Sequence, residues 1–159
     1  MNISVLNWNT GSGKRISLQE IMKNIESHIK DQGVVFVGTD SMLRPDQCVF
    51  ATAICLHGAK SQVGGKYFFK RNTEKDIDYF NLNLRLIREV EKSIKIAGEI
   101  IKEFPDVKIE IHIDVGSDMR CKSRGLVDML KGWASSAGFS CKIKPEAWAS
   151  ASVADKHTK

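Results

Sequence analysis

Val34-Val35-Phe36-Val37-Gly38-Thr39-Asp40-Ser41 is the stretch whose reading decides the fold. Four consecutive apolar, β-favouring residues make a run suited to a short strand buried on both faces. The run delivers Asp40 to its carboxyl end, and a carboxylate entering a buried setting must be paired or bound. A second stretch, Ile109-Glu110-Ile111-His112-Ile113-Asp114-Val115-Gly116, repeats the arrangement. Two strands that each end in an aspartate predict a two-carboxylate site if they lie side by side.

The remaining elements follow from local signals. The first fifteen residues read as irregular. Gly11-Ser12-Gly13-Lys14 is a turn and not a phosphate loop: Trp8 stands where that motif needs its first glycine, and Arg15 where it needs Ser or Thr. Ser17-Leu18-Gln19-Glu20 is a capping box, opening a helix to about Lys30 with Leu18, Ile21, Met22, Ile25 and Ile29 on its apolar face. Strands are expected over 48–56 and 66–70, separated by turn-forming residues, so the opening strand begins an antiparallel meander. A long helix over 77–104 ends at Pro105. Then come a strand over 107–115, a helix over 123–136, a short strand over 140–144 and a last helix from Glu146. The order helix, β-β-β, α, β, α, β, α predicts an α/β protein with a mixed sheet. A helical crossover makes the opening strand and the Asp114 strand parallel, bringing both aspartates to one edge. One domain is expected over 1–159, with residues 1–32 as an N-terminal irregular segment plus helix.

Composition narrows the function classes. The net charge of +5 favours polyanionic partners. The four cysteines, at 48, 55, 121 and 141, have neither zinc-site nor disulfide-scaffold spacing, which predicts reduced thiols. No apolar run approaches the roughly 20 residues of a membrane span, and the first residues lack a signal-peptide layout. A soluble cytoplasmic protein is expected, with no membrane association and no obligate protein partner.

Two further acids are candidates for the site. Glu89 shares a helical stripe with Leu82, Leu86, Ser93, Ile96 and Ile100, so it either snorkels at the margin or is held inward. Asp155 falls near the end of the last helix, where its charge opposes the helix dipole. Asp40 and Asp114 are the stronger pair, although either alone reads as a turn aspartate. Carboxylates gathered at one edge repel each other without a cation, and Mg²⁺ or Mn²⁺ suits all-oxygen ligands. Two such ions about 4 Å apart support phosphodiester cleavage. Lys122, Arg124, Lys142 and Lys144 would meet phosphates near that edge, though singly each reads as solubilising charge. His112 reads as a packing residue, and His157 as a surface histidine or a proton shuttle.

The chain resembles the YkuK-like family of the ribonuclease H-like superfamily. The carriers are Trp8-Asn9-Thr10 through Gly13-Lys14, Val37-Gly38-Thr39-Asp40-Ser41 and His112-Ile113-Asp114-Val115. A C-terminal block adds Lys122-Ser123, Gly132-Trp133, Gly138-Phe139, Lys144-Pro145-Glu146-Ala147-Trp148-Ala149-Ser150 and Val153-Ala154-Asp155-Lys156-His157-Thr158-Lys159. The resemblance implies five strands in order 3-2-1-4-5 with flanking helices. It implies acids on the first strand (Asp40), the fourth strand (Asp114) and the last helix (Asp155). Ribonuclease H adds a glutamate early in the helix after the meander. Here that position offers Asn81 or Asn83, and Glu89 lies further along.

The expected function is a divalent-metal-dependent nuclease, with Mg²⁺ or Mn²⁺ as cofactor, acting on RNA, RNA–DNA hybrid or structured DNA. Catalysis would rest on Asp40, Asp114, Asp155 and Glu89, and contact with nucleic acid on Lys122, Arg124 and Lys144. The alternative is a non-catalytic nucleic-acid-binding module with the same fold. Nucleotide phosphate binding, as in actin-like ATPases, would need a second lobe that a chain of this length lacks.

Overall fold

The capping box forms as its residues require: the Glu20 N–H donates to Ser17 Oγ at 3.1 Å, and the Ser17 N–H to Glu20 Oε2 at 3.0 Å. The helix it opens, α1, spans Leu18–Lys30 in the computed structural model, which describes residues 8–62, 64–75, 77–116 and 126–159. Ahead of it lie β1 (Trp8–Thr10) and β2 (Arg15–Ile16). After it come β3 (Val34–Leu43), β4 (Cys48–His57) and β5 (Lys66–Glu74), each joined to the next in antiparallel register. A 3₁₀ turn at Ile77–Phe80 leads into α2 (Leu82–Glu103). The chain continues through β6 (Ile109–His112), α3 (Val127–Ser136) and β7 (Ser140–Lys142). It closes with a π-helical segment, Ala149–Ala154, and a 3₁₀ turn, Asp155–His157.

The sheet has seven strands in the order β2-β1-β5-β4-β3-β6-β7. The expected five-strand order is the run β5-β4-β3-β6-β7 within it, with β3–β6 and β6–β7 parallel. The strand count is corrected from five to seven, and part of the segment expected to be irregular is a hairpin. Its turn closes because Gly13 adopts φ 91° and Thr10 Oγ1 accepts the Lys14 N–H, leaving β1 free to pair with β5. The long helix starts later than its pattern suggests. Asn81 caps it, accepting the Asn83 N–H at 2.9 Å. The Asp114 strand is shorter, ending at His112, and the Val115 N–H turns back to the Ile113 carbonyl at 2.8 Å.

The sheet packs on both faces. The larger core joins α1, α2 and α3 to one face through residues such as Ile25, Val37, Ile54, Ile100, Ile111 and Leu130. On the other face Ala149 and Ala154 pack on Ala53 and Cys55, flanked by Phe36, Tyr67, Trp148 and Val153. The C-terminal segment approaches so closely that a Cβ on Gly38 would lie 2.5 Å from the Ser150 backbone nitrogen. Such a glycine inside a strand marks contact with another backbone. Among the described residues no helix is long and apolar enough to cross a membrane, and Cys48, Cys55 and Cys141 are free thiols.

Gly38→Ala must push the C-terminal segment off β3, and we expect a loss of about 1–3 kcal/mol in urea unfolding. Gly98→Ala, inside α2 with nothing within 4 Å of the added Cβ, should instead stabilise by about 1 kcal/mol. Equal effects at the two positions would contradict the close approach.

Candidate functional site

Strand register sets the first pair of acids. β3 and β6 run parallel with Gly38 level with His112. Two residues beyond that pair on each chain segment stand Asp40 and Asp114, close enough for the Asp114 charge to act on the Asp40 carboxyl. Asp40 is buried and Asp114 half-buried. Lys144 Nζ lies 2.9 Å from Asp114 Oδ1, an ion pair that partners this buried oxygen.

Helix phase sets the third acid. Leu86, Glu89, Val90, Ser93, Ile96, Ala97 and Ile100 form the buried side of α2, so Glu89 points inward. α2 runs antiparallel to β3. Four helical residues rise about 6 Å and two strand residues about 6.6 Å, so the two elements stay in step. Ser93 Oγ meets Thr39 Oγ1 at 2.8 Å, and four residues earlier Glu89 Oε1 accepts from Ser41 Oγ at 2.5 Å. Thr39 Oγ1 also meets Thr52 Oγ1 at 3.0 Å, which satisfies the buried hydroxyls beneath the helix. Glu89 Oε2 is buried without a hydrogen-bond partner.

The C-terminal segment supplies the fourth. His112 holds it: the Ala149 N–H donates to His112 Nδ1 at 3.0 Å, so Nδ1 is the acceptor and Nε2–H donates to Glu110 Oε1 at 2.8 Å. Burial lowers the His112 pKa, which keeps this acceptor unprotonated. The segment then crosses β3 at Gly38 and brings the Asp155 carboxyl within hydrogen-bonding reach of Asp40. Lys159 Nζ lies 3.3 Å from Asp155 Oδ2.

These acids are electrostatically one group. Burial pushes the Asp40 carboxyl up to about 7, with the Asp114 charge and the Asp155 carboxyl adding to the effect. Burial, and then the charge of Asp40, raises Glu89 well above the ordinary range, against the Ser41 hydrogen bond that lowers it. Among the described residues, no group of three or more His, Cys, Asp or Glu side chains stands ready to hold a metal ion. Asp40, its carboxyl pushed up by burial and by Asp114, takes up the repulsion by keeping a proton.

Other expected residues have partners of their own. Lys144 is exposed and pairs with Asp114 at the edge of the site. His157 stacks on Phe69 with ring centroids 3.5 Å apart and meets the Tyr67 hydroxyl through Nε2 at 3.1 Å, so it is docked on β5. Lys122 and Arg124 fall outside the described residues. Residue reasoning missed Gly38, Ser41 and the supporting role of His112. A glycine in a buried strand was the available signal for the first. Ser41 becomes legible only once Glu89 is known to face inward.

The ribonuclease H-like family profile matches residues 17–159. The chain belongs to the ribonuclease H-like family. Uncharacterized protein YkuK of Bacillus subtilis (strain 168) is 24% identical to it over 167 residues, covering 93% of this chain and 94% of that protein. The chain is thus similar to YkuK over nearly its whole length. Membership points to a nuclease or nucleic-acid-binding role.

Between the ordinary carboxyl value of 3.8 and about 7, folded Asp40 keeps a proton that the unfolded chain has lost. The folded state then binds more protons, so stability falls as pH rises through this window, by at most about 1.4 kcal/mol per unit for one proton. In chelator-treated protein, Asp40→Asn should flatten that fall and raise the melting temperature near pH 7, with little difference near pH 4. A difference that does not vary with pH would contradict the proton kept by Asp40.

Proposed function

We propose that this protein is a divalent-metal-dependent nuclease that hydrolyses phosphodiester bonds in RNA, RNA–DNA hybrid or structured DNA. The observation that carries the reading is the convergence of carboxyls from four separate elements, with Glu89 Oε2 buried and lacking a hydrogen bond. Buried oxygens of that kind are costly unless something binds them. The donors are all carboxylate oxygens, a set that fits a hard cation.

Asp40, Asp114 and Asp155 are the residues that would hold Mg²⁺ or Mn²⁺, with Glu89 beside them. When bound there, the cation supplies an activated water and charge stabilisation at the leaving oxygen. The protein's own part is preorganisation. Ser41 orients Glu89, and His112 fixes the segment that carries Asp155. Lys144 balances Asp114 in the absence of ligand and in this reading turns to a substrate phosphate. Lys122 and Arg124 are proposed to contact the nucleic acid. His157, whose pKa burial and then the Lys156 and Arg71 charges lower, is the proposed proton carrier.

A non-catalytic nucleic-acid-binding module is the second reading. What favours it is that Asn81 is used as a helix cap and supplies no early acid.

The nuclease reading predicts Mg²⁺- or Mn²⁺-dependent cutting within a panel of RNA, hybrid and structured DNA substrates. Asp40→Asn should abolish cutting while leaving binding in place. Ser41→Ala, which frees Glu89 to reorient, should lower the rate about 10–100-fold. Steeply salt-dependent binding without metal-dependent cutting would favour the binding module.

A further inference from the structure

Lys70 is a half-buried ammonium that makes no ion pair with a carboxylate among the described residues. Its Nζ sits 5.3 Å from the centre of the Trp8 ring, and the charges nearest to it are those of Lys92 and Lys95. These three lysines, with Arg88, Glu91 and Ile96, line a small pocket of about 80 Å³ between β5 and α2. A single water needs at least about 10–15 Å³ of such space, so the pocket has room for a group the size of one tetrahedral oxyanion.

Charge pairing in the pocket is uneven. Glu74 Oε1 takes Arg88 Nη2 at 2.9 Å and Lys92 Nζ at 2.6 Å, and Glu91 Oε2 takes Arg88 Nη1 at 2.6 Å. These contacts hold Arg88 and Lys92 in place, and neither acid reaches Lys70 or Lys95. A cation is not withdrawn from water beside two like charges without cost. A bound anion would offset that cost.

We propose that Lys70, Lys92 and Lys95 form a binding pocket for a single phosphate group on the α2 side of the sheet. Lys70 pairs in register with Thr52, and Thr52 with Thr39, the residue before Asp40. Two strand spacings, about 10 Å, therefore separate the row position of Lys70 from that of the acid-bearing strand. The phosphate comes from a nucleic-acid backbone or from a small phosphate compound, and the chemistry of recognition is the same. The pocket does not depend on hydrolysis at the acids.

The test is NMR of lysine Nζ and Cε signals in chelator-treated full-length Asp40→Asn protein, titrated with inorganic phosphate or with chloride at matched ionic strength. Phosphate should raise the Lys70 midpoint, about 8 without ligand, by about one unit or more, and chloride should not. Lys70→Gln should abolish the saturable response of Lys92 and Lys95. Lys95→Gln, at an exposed position, should weaken phosphate binding without threatening the fold. Equal responses to phosphate and chloride would overturn the proposal. In a second arm, an oligonucleotide that displaces phosphate, with a salt slope about one unit shallower per lysine removed, identifies the source as a nucleic-acid backbone. Phosphate binding untouched by oligonucleotide identifies a small phosphate compound. Because neither arm reads cleavage, a failed nuclease assay leaves this test intact.

Discussion

The backbone of Ala149 and Ser150 rests directly on Gly38, and the site depends on that contact. No side chain larger than hydrogen fits there, since a Cβ would stand 2.5 Å from the Ser150 nitrogen. Everything that brings Asp155 to Asp40 lies downstream of this crossing. His112 secures it from the neighbouring strand by accepting the Ala149 N–H. Trp148 packs against both Phe36 and His112, with ring centroids 4.8 and 5.2 Å away. The C-terminal segment is therefore held by backbone proximity, one buried hydrogen bond and aromatic packing. It carries its aspartate onto the face of β3 opposite α2.

On the other face the constraint is helix-to-strand phase. Ser93 and Glu89 sit one helical turn apart and meet Thr39 and Ser41, two residues apart on the strand. The hydroxyls satisfy one another, and the acid ends the series. The sheet thus brings Asp40 from one face and Glu89 from the other to the same end of β3, beside Asp114. This arrangement opposes stability, because buried like charges resist ionisation. Asp40 answers by keeping its proton up to about pH 7. A fold that gathers acids at such a cost has a use for them, as strain held at functional sites generally does.

Much of the fold was legible in the sequence, because apolar periodicity, the Ser17 capping box and Pro105 each act locally. The order of five strands was implied by the family resemblance and is kept in the sheet. The N-terminal hairpin was not legible. Trp8–Thr10 is three residues long, and its pairing partner, β5, lies more than fifty residues away. Asp40 and Asp114 could be singled out because each ends an apolar run. Glu89 was ambiguous from phase alone, since α2 also carries apolar residues on its other side. Its inward position rests on the pairing with Ser41, a contact between distant segments. Lys144 is the exposed cation that it looked like, but nothing local predicts its ion pair with Asp114. Lys70 drew no notice, since a lysine flanking an aromatic strand reads as solvent-exposed until the helix packed above it is known.

The central claim is that Asp40, Glu89, Asp114 and Asp155 close around a cation at one end of β3. The most direct measurement is paramagnetic broadening of backbone amide signals by substoichiometric Mn²⁺. The account predicts selective loss of signals around residues 38–41, 89, 112–116 and 154–156, reversed by excess Mg²⁺ and absent in Asp40→Asn. Broadening centred elsewhere, or broadening that survives Asp40→Asn, would contradict it.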